Sequence, residues 1–421
     1  MLKKLAENIK DHSVPFENRD DLDTLVNQIG DAKIVLLGEA SHGTSEFYEV
    51  RAELSKKLIQ EKGFSIIAVE GDWPASQKLN RYIKGYDTDS NSAEEVLRSF
   101  NRWPTWMWAN QEIAQFVEWL KEHNNTQPDG QKTGFYGIDV YSLWESMDEV
   151  IRHLEKINSP DLPLARKAFT CFEAFNRNHE KYAIASAVYS EGCVEEVTNL
   201  LNRINQNRNL HQYEEENGLD LKINALVTAN AERYYSTMIL NDESSWNIRD
   251  LHMVEALNEV MDFHGPEAKV IVWEHNTHVG DARATDMADN GLINVGQVVR
   301  EQNRPEDVYV VGFGTHSGTV IAAEQWGVEF EEKIVPKAQL DSWEDVLHRS
   351  GAYDKMIFFN DENRHLFSSR IGHRAIGVVY NPEYEHLGNY VPSVISERYD
   401  AFIFINESRA LKPLKVSVPV M

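Results

Sequence analysis

Short apolar runs rich in β-branched residues alternate along the chain with stretches whose apolar positions recur every three or four residues. The short runs read as strands at Ile34 to Leu37, Ser65 to Val69, Thr133 to Ile138, Lys269 to Trp273, Val308 to Phe313, Thr319 to Ala322, Met356 to Phe359, Ala375 to Val379 and Ala401 to Ile405. Most are too short to be helices. Their alternation with helical patterns predicts βα units and an α/β fold, a mostly parallel central sheet flanked by helices. The clearest helix follows the first run: Phe47, Val50, Leu54 and Leu58 share one face, Thr44 is placed to cap its start, and Gly63 marks its stop. Between Ser142 and His264 the strand signal vanishes. Amphipathic patterns take over at Leu143 to Ile157, Val194 to Ile204, Leu219 to Ile239 and Ile248 to Phe263. The expected organisation is an α/β core of residues 1–141 and 265–421, interrupted by a large helical insertion at 142–264 that forms a lobe over the cleft at the strand ends.

The chain has 421 residues, 42% of them hydrophobic, enough to bury a large core in one enlarged domain or two. A formal net charge of −25, spread along the chain, argues against a nucleic-acid partner, whose phosphates need clustered Lys and Arg. The acidity reads as a solubility feature. The N-terminus turns polar at once after Met1 and Leu2, and no later run approaches membrane-spanning length. A soluble cytoplasmic protein with no membrane partner is the expectation. Cys171 and Cys193, the only cysteines, each lie in a helix-like context; they fit a reducing compartment and give no disulfide framework.

Five predicted strands end in a titratable group: Glu39, Glu70, Asp139, His275 with His278, and His316. The carboxyl ends of parallel strands line up along one edge of a sheet, where ligands bind, so these groups would mix carboxylates and imidazoles in one cleft. His42, in a turn flanked by Gly38 and Gly43, suits a general base that Glu39 or Glu70 orients; it equally suits a capping histidine. Arg51 falls on the apolar seam of the following helix, so its guanidinium needs a carboxylate, either as an ion pair buttressing the turn or in direct binding. The segment His275-Asn276-Thr277-His278 reads either as two hydrogen-bonding imidazoles or as two ligands that, with Glu70 or Glu39, complete a metal site. Asp281 and Arg283, just beyond, are second-layer partners or the start of the next helix. Trp103, Trp106 and Trp108 crowd a Pro-containing segment that lines a hydrophobic cleft or packs a core. No Gly-x-Ser-x-Gly elbow, Walker A loop or Rossmann glycine fingerprint stands out, which disfavours serine hydrolases, P-loop NTPases and dinucleotide enzymes.

The runs Leu36-Leu37-Gly38-Glu39-Ala40-Ser41-His42-Gly43-Thr44-Ser45-Glu46-Phe47, then Arg51, Val69-Glu70-Gly71-Asp72-Trp73, Arg102-Trp103-Pro104-Thr105-Trp106 and Trp273-Glu274-His275-Asn276-Thr277-His278 together resemble the erythromycin esterase family. Some of its members carry the label succinoglycan biosynthesis protein. The resemblance implies hydrolysis of a carboxylic ester, in the best-known members the lactone of a macrolide antibiotic. It makes His42 the histidine that activates water, and Glu39, Arg51, Glu70, His275 and His278 the remaining polar positions of the site. It implies a small ester or lactone as partner and leaves the cofactor open between none and a divalent metal held by His275, His278 and Glu70. The alternatives to a metal-free esterase are a metallohydrolase and a non-catalytic metal- or ligand-binding protein.

Overall fold

The structure, a computed structural model, describes residues 2–87, 89–189, 192–206 and 216–417. The chain divides into two compact units, one holding residues 1–67, 81–134 and 269–418, the other 68–80 and 135–268. Among the described residues the strands are β1 (Ser13–Pro15), β2 (Ile34–Leu37), β3 (Ile66–Asp72), β4 (Gly134–Asp139), β5 (Val270–Trp273), β6 (Val308–Ala323), β7 (Phe330–Val335), β8 (Lys355–Phe358), β9 (Arg370–Arg374), β10 (Tyr390–Val394) and β11 (Ala401–Ser408). Nine of them form one sheet in the order β1-β8-β11-β6-β2-β5-β3-β4, with β7 paired to β6 outside that path, while β9 and β10 make a separate ribbon. β6 runs parallel to β2 and β11, and β2 parallel to β5; the antiparallel partners are β8 on β11, β1 on β8 and β7 on β6.

In the first unit β2 and β5 are apolar at every position and buried at every position, as strands covered on both faces must be. Their register sets Leu37 opposite both Trp273 and Val311, so the loops leaving β2 and β5 start level with one another. The helix Ser45–Lys62 follows β2 directly and buries Phe47, Val50, Leu54 and Leu58; Phe47 meets Phe313 of β6 edge-on at 5.6 Å. Thr44 occupies the N-cap position in extended backbone, but its hydroxyl bonds Ser41 Oγ in place of the helix. The Ser45 N–H is satisfied by the carbonyl of Arg409 at 2.8 Å.

Three expected strands differ from the structure. Val308 to Phe313 and Thr319 to Ala322 are the two halves of one strand, the 16-residue β6, so His316 lies inside a strand and does not end one. The sequence Gly314-Thr315-His316-Ser317-Gly318 suggests a turn, yet Gly318 is there for a close approach: a Cβ would stand 2.0 Å from the Ser408 carbonyl oxygen of β11. Past that point β6 exchanges its parallel partners for antiparallel β7. The segment Ala375 to Val379 is not a strand. The strand precedes it as β9, and Ile376 and Val379 make only isolated bridges to Ser41 and Ala323.

The second unit takes in the whole helical stretch together with residues 68–80 and 135–141. The four amphipathic patterns are the helices Leu143–Lys156, Val194–Gln206, Glu216–Thr237 and Asp242–His264; Leu162–Thr170 and His179–Tyr189 are helices as well. Glu216–Thr237 is buried on most of its circumference, and its first turns are tied down by the hydroxyl of Tyr136, which donates to Glu216 Oε1 at 2.8 Å, and by Trp73 Nε1, which donates to Asp220 Oδ1 at 2.8 Å. Burial pushes the Asp220 carboxyl up to about 6. Cys171 and Cys193 form a disulfide, which corrects the expectation of free thiols. Their Cα atoms stand 5.9 Å apart, within the reach of a disulfide, so the cysteines are no argument for a reducing compartment. No described helix is long and apolar enough to cross a membrane.

Candidate active site

The loop leaving β2 carries Glu39 and His42, and both side chains are buried. Glu39 Oε1 accepts from His42 Nδ1 at 2.7 Å, and Glu39 Oε2 accepts from Arg51 Nη2 at 2.5 Å. Arg51 is fully buried on the helix Ser45–Lys62, its guanidinium carbon 4.5 Å from the ring of Tyr48 and 4.7 Å from that of Trp273. The Trp273 ring is fixed in turn by Nε1 donating to Ser55 Oγ at 3.1 Å. A guanidinium so enclosed serves Glu39, in keeping with the buttressing ion pair. The loop is pinned from outside at Gly43, whose carbonyl accepts from Ile321 N at 3.0 Å and from Leu411 N at 2.9 Å. Only glycine fits there, since a Cβ would stand 1.9 Å from the Ile321 carbonyl oxygen.

The loop leaving β5 brings His275 beside His42, their ring centroids 4.9 Å apart and tilted by 43°. His275 caps the short helix Asn276–Val279: its Nδ1 accepts from Thr277 N–H at 3.3 Å and lies 2.8 Å from the Thr277 hydroxyl. His278 follows on that helix and is buried, its N–H bonded to the His275 carbonyl at 2.9 Å. Asn276 locks the loop to its neighbours, with N–H to the Glu39 carbonyl at 2.8 Å and Nδ2 to the Phe313 carbonyl at 2.6 Å.

The two imidazoles have Nδ1 partners of opposite kind. A carboxylate only accepts, so His42 carries a hydrogen on Nδ1. A backbone N–H only donates, so Nδ1 of His275 is the acceptor and its neutral ring bears the hydrogen on Nε2.

In the second unit Glu70 and Asp139 share one guanidinium, that of Arg249 on the helix Asp242–His264. Burial works against charge on Asp139, yet Arg249 prevails and holds its carboxyl below the ordinary range. Arg249 was missed in the sequence, as was Thr277, which sets the tautomer of His275. His316, counted with the strand endings, is buried against His348, the rings parallel at 3.8 Å. Asp281 caps the turn Ala282–Ala284 and takes ion pairs from Arg283 and Arg300, a structural role. Trp106 and Trp108 are core residues, while Trp103 lies against Trp326 at 4.5 Å. Among the described residues no three His, Cys, Asp or Glu side chains are grouped to hold a metal ion.

The class is an α/β protein with titratable groups on the loops at the carboxyl ends of parallel strands. A family model described as Erythromycin esterase matches residues 59–408, and the chain belongs to the erythromycin esterase family. The matched span includes Glu70, His275 and His278; Glu39, His42 and Arg51 precede it. Erythromycin esterase type II of Escherichia coli is 24% identical over 391 residues, covering 85% of this chain and 89% of that protein. YbfO of Bacillus subtilis, named as a hydrolase, is 21% identical over 426 residues, covering 94% and 89%. Among solved structures, a Bacillus cereus protein matches with a TM-score of 0.82 at 19% identity, over 99% of this chain and 100% of that one. A succinoglycan biosynthesis protein gives 0.78 at 20%, over 98% of both, and an erythromycin esterase mutant in its open conformation gives 0.64 at 16%, over 96% and 97%. These structures share the fold. The family and the hydrolase-named relatives support a hydrolase acting on a small molecule.

Proposed function

We propose that the protein hydrolyses a carboxylic ester or lactone without a covalent intermediate, with His42 as the general base. The observation that supports this most is the unlike pair of Nδ1 partners, a carboxylate on His42 and a backbone N–H on His275, on rings 4.9 Å apart; from it we infer a proton acceptor at His42 Nε2 beside a donor at His275 Nε2. Water gives a proton to His42 Nε2 as its oxygen attacks the ester carbonyl carbon. Glu39 steadies the imidazolium that forms, as an oriented carboxylate does behind a catalytic histidine, and Arg51 keeps Glu39 in place. The charge that develops on the carbonyl oxygen is met by N–H groups of His275 and His278. When the tetrahedral adduct collapses, the departing alkoxide recovers the proton from His42, leaving acid, alcohol and free enzyme. Glu70, which the family resemblance implies, is proposed to take part in turnover as well.

A metallohydrolase using His275 as a ligand would need its lone pair at Nε2, the tautomer that the Thr277 N–H opposes. The test is turnover of a panel of activated esters and macrolide lactones by purified protein, with and without a chelator. The expected result is ester cleavage that a chelator leaves unchanged. Loss of turnover on chelation with recovery on adding metal overturns the metal-free mechanism, and binding without cleavage of any panel member overturns the enzyme reading.

A further inference from the structure

Arg249 spends its donors in a particular way. Nε donates to Asp139 Oδ1 at 2.9 Å and Nη2 to Asp139 Oδ2 at 2.7 Å, a side-on fork; the second hydrogen of Nη2 goes to Glu70 Oε1, also at 2.7 Å. The ring of Tyr141 lies against the guanidinium face, 4.8 Å from its central carbon. Asp139 is itself fixed, since its Oδ1 accepts from the Val140 N–H at 2.7 Å. All three charged side chains are nearly enclosed, with 11% of Arg249, 4% of Glu70 and 5% of Asp139 exposed.

A guanidinium is planar, and its N–H directions are fixed once the plane is fixed. Asp139 sets that plane through the fork and Tyr141 supports its face, so the remaining Nη2–H has one direction left. That direction locates the Glu70 oxygen. We propose that Arg249 is the positioning residue for Glu70, with Asp139 as its anchor, and that the fork geometry, beyond the positive charge, is what turnover depends on. The proposal rests on the ester-hydrolase reading in one respect, that Glu70 takes part in turnover. Lysine at position 249 keeps the charge and loses the fork.

The experiment measures kcat and KM on an activated ester for wild type, Arg249→Lys, Arg249→Gln and Asp139→Asn, and for Arg249→Gln placed in a Glu70→Gln background, with thermal melting of each. Misplacing a reacting group lowers the rate by roughly tenfold to a hundredfold. That loss is expected in kcat for Arg249→Lys, Arg249→Gln and Asp139→Asn alike. In the Glu70→Gln background Arg249→Gln should add nothing further, because the carboxylate it positions is gone. A Lys variant at wild-type kcat overturns the proposal in favour of charge alone. An equal cost of Arg249→Gln in both backgrounds assigns Arg249 a role in folding and also overturns it. Should Arg249→Gln fail to fold, Arg249→Lys and Asp139→Asn carry the test, since both retain the cation. A wild-type protein that cleaves no ester overturns the functional reading and the proposal together, a result distinct from an active wild type with an unimpaired Lys variant.

Discussion

Two pairs of histidines lie side by side in the first unit, and their surroundings could hardly differ more. His42 and His275 are tilted, and each has an Nδ1 partner that decides where its hydrogen sits, Glu39 for one and Thr277 for the other. His316 and His348 are stacked within 6° of parallel at 3.8 Å, and neither ring nitrogen of His316 has a hydrogen-bond partner among the described residues. Burial, then the neighbouring His348 and Arg374, push His316 down to about 4. It is an imidazole kept neutral and used as a flat packing surface. Closeness of two imidazoles therefore says little about chemistry; the groups bonded to Nδ1 say much more.

The comparison breaks most completely if Glu39 is altered. Glu39→Gln offers His42 an amide whose donor end can face Nδ1 and reverse the tautomer, and an exchange of this kind behind a catalytic histidine costs about 10⁴ in kcat; a variant with wild-type ester turnover would remove Glu39 from the mechanism. His42→Ala should lower turnover by about a hundredfold to ten-thousandfold. Its melting temperature should stay close to wild type, because a loop held by backbone bonds at Gly43 does not depend on the imidazole. His275→Ala removes a donor to the developing oxyanion, worth about a hundredfold to a thousandfold in kcat, and a loss confined to KM would instead make it a simple binding group.

The smallest effect belongs to the other pair. His316→Phe should leave ester turnover unchanged and alter only acid stability. The unfolded chain takes up a proton on this residue near 6.5 and the folded chain only at about 4. Between those values the unfolded state binds more protons, so stability falls as the pH drops through the window, and the phenylalanine variant should show a shallower fall in melting temperature. His252, pushed down to about 4 by burial, retains its own share of the slope. An unchanged slope in His316→Phe would mean that His316 titrates normally.

What was legible in the sequence is what short-range pattern encodes. β2 and β5 are apolar at every position, and the helix Ser45–Lys62 repeats its apolar positions on one face, so those elements and the polar residues that follow the strands could be read directly. β7 was missed because its outward face is solvated and the sequence Phe330-Glu331-Glu332-Lys333-Ile334-Val335 lacks an apolar run. β9 was displaced because it carries Arg374, fully buried yet charged, whose Nε donates to Glu385 at 2.6 Å, while the apolar stretch just after it drew the assignment. Glu39, His42 and Arg51 fall within one loop and one helix, close enough in sequence for their association to be foreseen. Arg249 lies 110 residues from Asp139 and 179 from Glu70, and on its own helix it is one more polar position. Partners at that separation are set by topology, which local pattern does not carry.

The doubly bonded carbonyl of Gly43 turns the His42 loop into something observable without any ligand. Ile321 and Leu411 lie 90 residues apart in sequence, yet their amide hydrogens share that one acceptor. Each time the loop lifts, both amides are released to solvent together, so their deuterium uptake should rise and fall in step under conditions that loosen the loop and stay protected when it closes. Two amides far from the histidine in sequence thus act as its spectators, reporting how often its loop is in register before any chemistry has been tried.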